Sequence, residues 1–224
     1  MKTKFDEKGV TLIELLIALV ISGIIIAAIY RMFVAQTRSY TVQDQVSEVQ
    51  QNVRNAMERM LKDLRMAGSD DDRKDINGVN QHPPAAITNP AANSITVHYE
   101  KDVGIIRHVT YALKLDPITG TNTLFRNQDP PDSPPETVDG DRILENVTQF
   151  QLTYGVDVDP IAPHTWLNDR RLHWWADAGA TVGVNVIAVR VQLSATPASN
   201  NPDVNAQVSP RSLDTVVTLR NQLK

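Results

Sequence analysis

The chain has 224 residues, 42% of them apolar, and a formal net charge of −4, enough for one globular domain and a long further segment. It holds no cysteine, which excludes disulfides, thiol catalysis and Cys-ligated metals. The negative balance argues against broad nonspecific binding of nucleic acid, which rests on neutralising phosphates.

Lys8 to Tyr30 read KGVTLIELLIALVISGIIIAAIY. A charged leader ends at Lys8-Gly9, and about twenty apolar residues follow, with Glu14 as the one carboxylate. A bilayer core takes roughly 20 helical apolar residues, so this segment is long enough to span a membrane. A carboxylate inside a span costs on the order of 2.5–3.5 kcal/mol on insertion scales and needs a partner or a task. No small-residue cleavage site follows the apolar run, because Ala27-Ala28 lies inside a continuing helix pattern. The leader's lysines favour a cytoplasmic leader, a bias opposed by Arg31 and Arg38 on the far side. An uncleaved signal anchor is the plain alternative to a processed leader.

Gly9, Val10 and Glu14, flanked by Thr11-Leu12-Ile13 and Leu15-Leu16-Ile17-Ala18, resemble the prepilin signature of the type IV filament superfamily. The resemblance implies cleavage after Gly9, N-methylation of the new N-terminus at Val10, and retention of Glu14 as the fifth mature residue. Cleavage removes three lysines and two acids, taking the net charge from −4 to −5. The mature Val10 would carry an ammonium group, and Glu14 of one subunit could pair with the amine of the next in a water-free stem core. Pairing offsets the desolvation of both charges, and an unpaired charge there is costly. Glu14 is therefore expected to set the axial register of assembly; a neutral Glu14 hydrogen-bonded within the bilayer is the competing reading.

The helical pattern continues past Tyr30. Val42, Val46, Val49, Val53, Met57, Met60 and Leu64 form one apolar stripe, with Asp44, Glu48, Arg54, Glu58, Arg59, Lys62 and Asp63 mostly off it. No proline occurs before Pro83. One helix is predicted from about Thr11 to Ala67, some 57 residues and roughly 85 Å long, closed by Gly68. Residues 10–31 are the expected membrane or filament-core part and 32–68 the amphipathic part. A coiled coil is the competing account of the stripe.

Residues 69–93 read as a polar connector, after which the period changes to two. Residues 95–99 and 105–115 predict a hairpin turning at Lys101-Asp102-Val103-Gly104. A short strand is expected at 123–126, a loop at 127–141, a strand at 143–156 and a loop at 157–183 that holds all three tryptophans. The strand at 184–196 is expected to pair with 213–220. The fold class is thus α+β and pilin-like: a long N-terminal helix whose C-terminal half packs on an antiparallel sheet in a domain over 69–224.

Chemistry-bearing candidates are few. The Asp70-Asp71-Asp72 to Asp75 run lacks calcium-loop spacing, since Arg73 and Lys74 stand where oxygen ligands are wanted. His82, His98, His108, His164 and His173 form no helical zinc motif, although His98 and His108 fall on strands that can be neighbours. No nucleophile elbow, P-loop or dinucleotide fingerprint is present, so neither catalysis, a cofactor nor a metal is expected. Trp166, Arg170, Arg171, Trp174 and Trp175 cluster in one loop. Such residues cover sheets, make hot spots with protein partners, or stack single-stranded nucleic acid.

Met60 to Gly68, Leu144 to Val147, Phe150 to Asp157 and the closing Val189 to Leu193 with Leu219-Arg220-Asn221 are similar to PilW-type minor pilins. This resemblance implies an inner-membrane prepilin with a periplasmic C-terminal domain, moving later to a surface fibre for adhesion, motility or DNA uptake. It implies processing by a prepilin peptidase and methyltransferase. The implied partners are other minor pilins, the major pilin and the inner-membrane assembly platform, with a tip adhesin as a further candidate. A pseudopilin of a type II secretion system and a DNA-binding minor pilin for competence are the alternatives.

Overall fold

The computed structural model describes residues 9–69, 86–88, 90–102, 105–129, 140–156, 173–175, 186–197 and 208–219. Among these residues lie one helix, α1 (Leu12–Met66), and nine strands: β1 (Ile87–Thr88), β2 (Ser94–Asp102), β3 (Ile105–Leu115), β4 (Asn122–Asp129), β5 (Asp141–Leu144), β6 (Val147–Val156), β7 (His173–Trp175), β8 (Val186–Ala195) and β9 (Arg211–Thr218). Two compact units result, Met1–Asp44 and Gln45–Lys224. The arrangement is α+β and pilin-like.

In the first unit the helix begins one residue after Thr11 and stays apolar and exposed, from Leu12 through Ile29. The described helix is long and apolar enough to cross a bilayer, and none of its most apolar window is buried within the protein. Among the described residues none covers these side chains, which suit lipid or other apolar chains as surroundings.

The second unit is built on the rest of α1. Val49, Val53, Ala56, Met57, Met60 and Leu64 are buried along one stripe, while Val42 and Val46 are half-buried. The helix closes as expected at Gly68, whose positive φ of 69° suits a residue without Cβ. Gly68 N–H donates to the His98 carbonyl (2.8 Å), which ties the helix end to β2.

One sheet was the expectation; two form. Antiparallel β1-β2-β3-β4-β5 make the first and β7-β6-β8-β9 the second. The division falls within the predicted 143–156 strand, where Glu145-Asn146 separates β5 from β6. Asn146 has φ 52°, and a left-handed residue cannot continue a strand. Its carbonyl accepts from Thr196 N–H at 3.0 Å, which fixes the break against the end of β8. The sheets are stitched together near residues 91–94. Leu152 N–H donates to the Ala92 carbonyl (2.9 Å), and Tyr154 Oη to that of Ala91 (2.8 Å).

Other elements depart from expectation in smaller ways. The β2–β3 hairpin is present, with His98 opposite His108 and Tyr99 opposite Arg107. The strand expected at 123–126 extends over Asn122–Asp129, because β3 offers it eight consecutive partners. β1 arises inside the expected connector and β7 inside the expected tryptophan loop, each two or three residues long and paired to one longer neighbour. As expected, β8 and β9 pair, from Ala188↔Thr218 to Ala195↔Arg211.

The core contains Ile95, Val97, Val109, Leu124, Leu152, Val189, Val191 and Leu193 from both sheets, packed with the α1 stripe. Met60 is fully buried within it. Met60→Ala is expected to destabilise the protein by about 2–5 kcal/mol through lost contact and a cavity. The check is a lower urea midpoint with an unchanged dependence on denaturant.

Candidate functional site

The N-terminus of α1 is the structural centre of the site. Gly9 has open space around it, and Val10 is 74% exposed, so the Gly9–Val10 peptide is accessible. The leader, residues 1–8, lies outside the described residues. Thr11 is the N-cap and Glu14 the third helical residue. Thr11 N–H donates to Glu14 Oε2 (2.9 Å), and Thr11 Oγ1 donates to the same oxygen (2.8 Å). Glu14 N–H in turn approaches Thr11 Oγ1 at 3.4 Å.

These bonds make a capping box, in which cap and third residue satisfy each other's otherwise orphaned donors. The Thr-x-x-Glu spacing announces it in the sequence. A negative group in the first helical turn is also favoured by the helix dipole. Within one chain, Glu14 therefore already has a structural partner. Both bonds fall on Oε2, so neither occupies the second carboxylate oxygen.

From Gly9 to Tyr30 Glu14 is the sole charged side chain. The polar Ser22 is satisfied locally, its Oγ donating to the Ala18 carbonyl at 2.7 Å. Thr37 and Thr41 do the same toward Phe33 and Thr37. The surface of this segment offers lipid or a neighbouring stem almost nothing but hydrocarbon.

A second polar centre lies at the opposite end of α1, and there the sequence reading needs correction. Asp63 is buried rather than off the stripe. It follows Met60 by three residues and precedes Ala67 by four, which is stripe spacing. Its Oδ2 accepts from Tyr111 Oη (2.5 Å) and from Arg126 Nε (2.9 Å). Arg126 also donates to Gln128 Oε1 at 3.0 Å. Burial raises the Tyr111 pKa, reinforced by its hydrogen bond to Asp63. Burial works to lower that of Arg126, but the bond to Asp63 and the neighbouring Tyr111 outweigh it. The cluster joins helix to sheet through side chains that are buried or nearly so.

His98 and His108 are indeed brought together, their rings edge-to-face with centroids 4.4 Å apart. His98 Nε2 lies 2.5 Å from Thr88 Oγ1, which ties β1 to β2. Among the described residues no group of three or more His, Cys, Asp or Glu is placed to hold a metal ion. Burial, with the nearby His108, lowers the His98 pKa to about 4. The unfolded chain takes up this proton near pH 6.5, so between pH 6.5 and 4 it binds more protons than the folded one. His98 thus favours folding fully above pH 6.5, and that contribution is lost as pH falls towards 4. In His98→Gln the stability gap to the native protein is expected to shrink across this window. Parallel pH profiles for the two proteins would contradict it.

Of the tryptophan-loop residues, Trp166, Arg170 and Arg171 lie outside the described residues, as do His82, His164 and Asp70 to Asp75. Trp174 and Trp175 stand on β7, with backbone positions opposite Gly155 and Tyr154. β7, which carries these two residues, is an edge strand of the second sheet among the described residues.

A family model described as the prokaryotic N-terminal methylation motif matches residues 4–30. No curated protein matches the chain. The matched segment covers the Gly9–Val10 peptide, the capping box and the exposed apolar helix. It marks a type IV pilin-like or pseudopilin protein of the processed, membrane-anchored class, whose motif implies assembly with other pilins and the pilus machinery.

Proposed function

We propose that this chain is a minor pilin of a type IV pilus, made as a prepilin and built into the fibre to prime or cap it. The prepilin peptidase cuts between Gly9 and Val10, and the methyltransferase modifies the Val10 amine. Residues 10–31 cross the inner membrane, and residues 69–224 form the core of a periplasmic head. The assembly platform draws the stem from the bilayer, and stem–stem burial replaces stem–lipid contact. Glu14 fixes the register through the amine of the adjacent subunit. The protein is the substrate of the processing enzymes and has a structural role.

One observation carries this reading. An exposed apolar helix starts directly behind an accessible Gly9–Val10 peptide, with Glu14 as its single charged side chain up to Tyr30. A soluble domain has no use for such a surface, and a carboxylate inside a plain anchor is costly even when it also caps the helix.

The test is mass spectrometry of sheared surface fibres and of the remaining envelope. A peptide beginning at N-methylated Val10 in the fibre fraction is expected. That peptide in the envelope alone would instead point to a secretion pseudopilin or to a priming complex held in the inner membrane. An intact leader in both fractions would overturn processing altogether.

A further inference from the structure

A cleft of about 750 Å³ opens between α1 and the start of β9. Ser47, Gln51, Arg54, Arg211 and Ser212 supply its polar lining, and Val53 and Leu213 its apolar lining. No carboxylate is among the described residues that line it. Arg54 has only a loose contact, its Nε 3.8 Å from Glu58 Oε1 with both side chains exposed. Arg211 Nε is buried without a hydrogen-bond partner. Two guanidinium groups thus flank the exposed Leu213, and Glu58, the carboxylate in loose contact with Arg54, stands outside the lining.

The adjoining strand adds a second feature. β9 is the outermost strand of its sheet, eight residues long, with Leu213 and Val216 exposed. Exposed edges of this kind are usually blunted by charge, proline or a bulge. Here the register runs without a shift from Arg211 to Thr218, and no proline interrupts it. The one carboxylate on the strand, Asp214, is held by Arg190 and Gln192 of β8. The bond from Arg190 lowers its pKa to about 2. That pairing with Arg190 offsets its charge, although the side chain stays 39% exposed.

We infer that this cleft and the β9 edge together dock an extended, carboxylate-bearing segment of a neighbouring pilin-type chain. The segment adds to β9 by main-chain hydrogen bonds, the strand-addition mode of peptide recognition. Its carboxylates face Arg54 and Arg211, and an apolar side chain between them rests on Leu213. Charge complementarity selects the occupant: a basic segment would meet two like charges, and a wholly apolar one would strand both guanidinium groups. The inference rests on the chain's assembling with other pilins.

The absence of cysteine makes the test clean, because Ser212→Cys gives the full-length chain a single thiol. That thiol is labelled with a benzophenone maleimide in cell envelopes, irradiated, and the crosslinked peptides sequenced. A crosslink to an extended Asp- or Glu-bearing segment of a second pilin-type chain is expected. Adding Arg54→Glu with Arg211→Glu should cut its yield at least about tenfold, while Arg54→Lys with Arg211→Lys should retain most of it. The Lys pair also shows that the head still folds. Processed chain found among other pilins with no such crosslink, with a crosslink to lipid, or with a yield indifferent to charge reversal would overturn the docking surface. Processed chain found with no other pilin would overturn the proposed function, and this surface with it.

Discussion

Asp63→Ala should cost the protein about 3–5 kcal/mol, the penalty for leaving a buried charge without its partner. The Arg126 side chain is only 9% exposed and would lose its carboxylate in an apolar setting, and Tyr111 Oη would lose its acceptor. The effect should be specific to breaking the pair. Asp63→Leu combined with Arg126→Leu removes both charges together and should lie much closer to the native stability. Tyr111→Phe, which deletes one hydrogen bond to a charged group, should cost about 1.5–3 kcal/mol. Urea unfolding in detergent, followed by near-ultraviolet circular dichroism, would measure all three. A loss below 1 kcal/mol in Asp63→Ala would mean that water or another group takes over the guanidinium.

The second large effect concerns assembly. On the proposed register role, Glu14→Ala should leave the leader cleavable, since the Gly9–Val10 peptide is untouched, yet should lower incorporation into fibres by about tenfold or more. The capping box sharpens this expectation. Thr11→Val removes the hydroxyl bond to Glu14 Oε2 and the cap itself, a loss of about 1 kcal/mol at the helix start, while the carboxylate stays. If Glu14 serves chiefly as a cap, the two variants should assemble equally badly. If it serves as an intersubunit register, Thr11→Val should assemble far better than Glu14→Ala. Quantifying each chain in sheared fibres against the envelope distinguishes the two, and normal incorporation of Glu14→Ala would remove the register argument.

What could be read in advance follows from the range over which each signal acts. The apolar run, the stripe from Val49 to Leu64 and the alternation in Ile95-Val97-Tyr99 are local, and each became the expected element. The single sheet became two because the decisive residue, Asn146, adopts a backbone conformation that its apolar neighbours do not reveal. β1 is two residues long and exists through pairing with Thr96 and Val97, a contact that no local pattern encodes. Asp63 was misplaced for a different reason. A charge on a helix is solvated by default, and only Tyr111 and Arg126, 48 and 63 residues away, make its burial tolerable. At the N-terminal end of α1 the bond is local: Thr11 and Glu14 fit the capping box by spacing alone.

The continuity of α1 has a mechanical consequence. If the chain is built into a fibre as proposed, tension would pull along its stem, and the load would enter the head through the backbone hydrogen bonds of one continuous helix. Its grip on the head is spread from Val49 to Leu64, about four turns of packed side chains, with the Asp63–Arg126 pair near the far end. Contacts distributed in this way share a pull and slip together instead of peeling one by one. The buried ion pair then acts as a strain-resisting pin in the last turn, and breaking it should lower the force at which the head yields before it frees the stem.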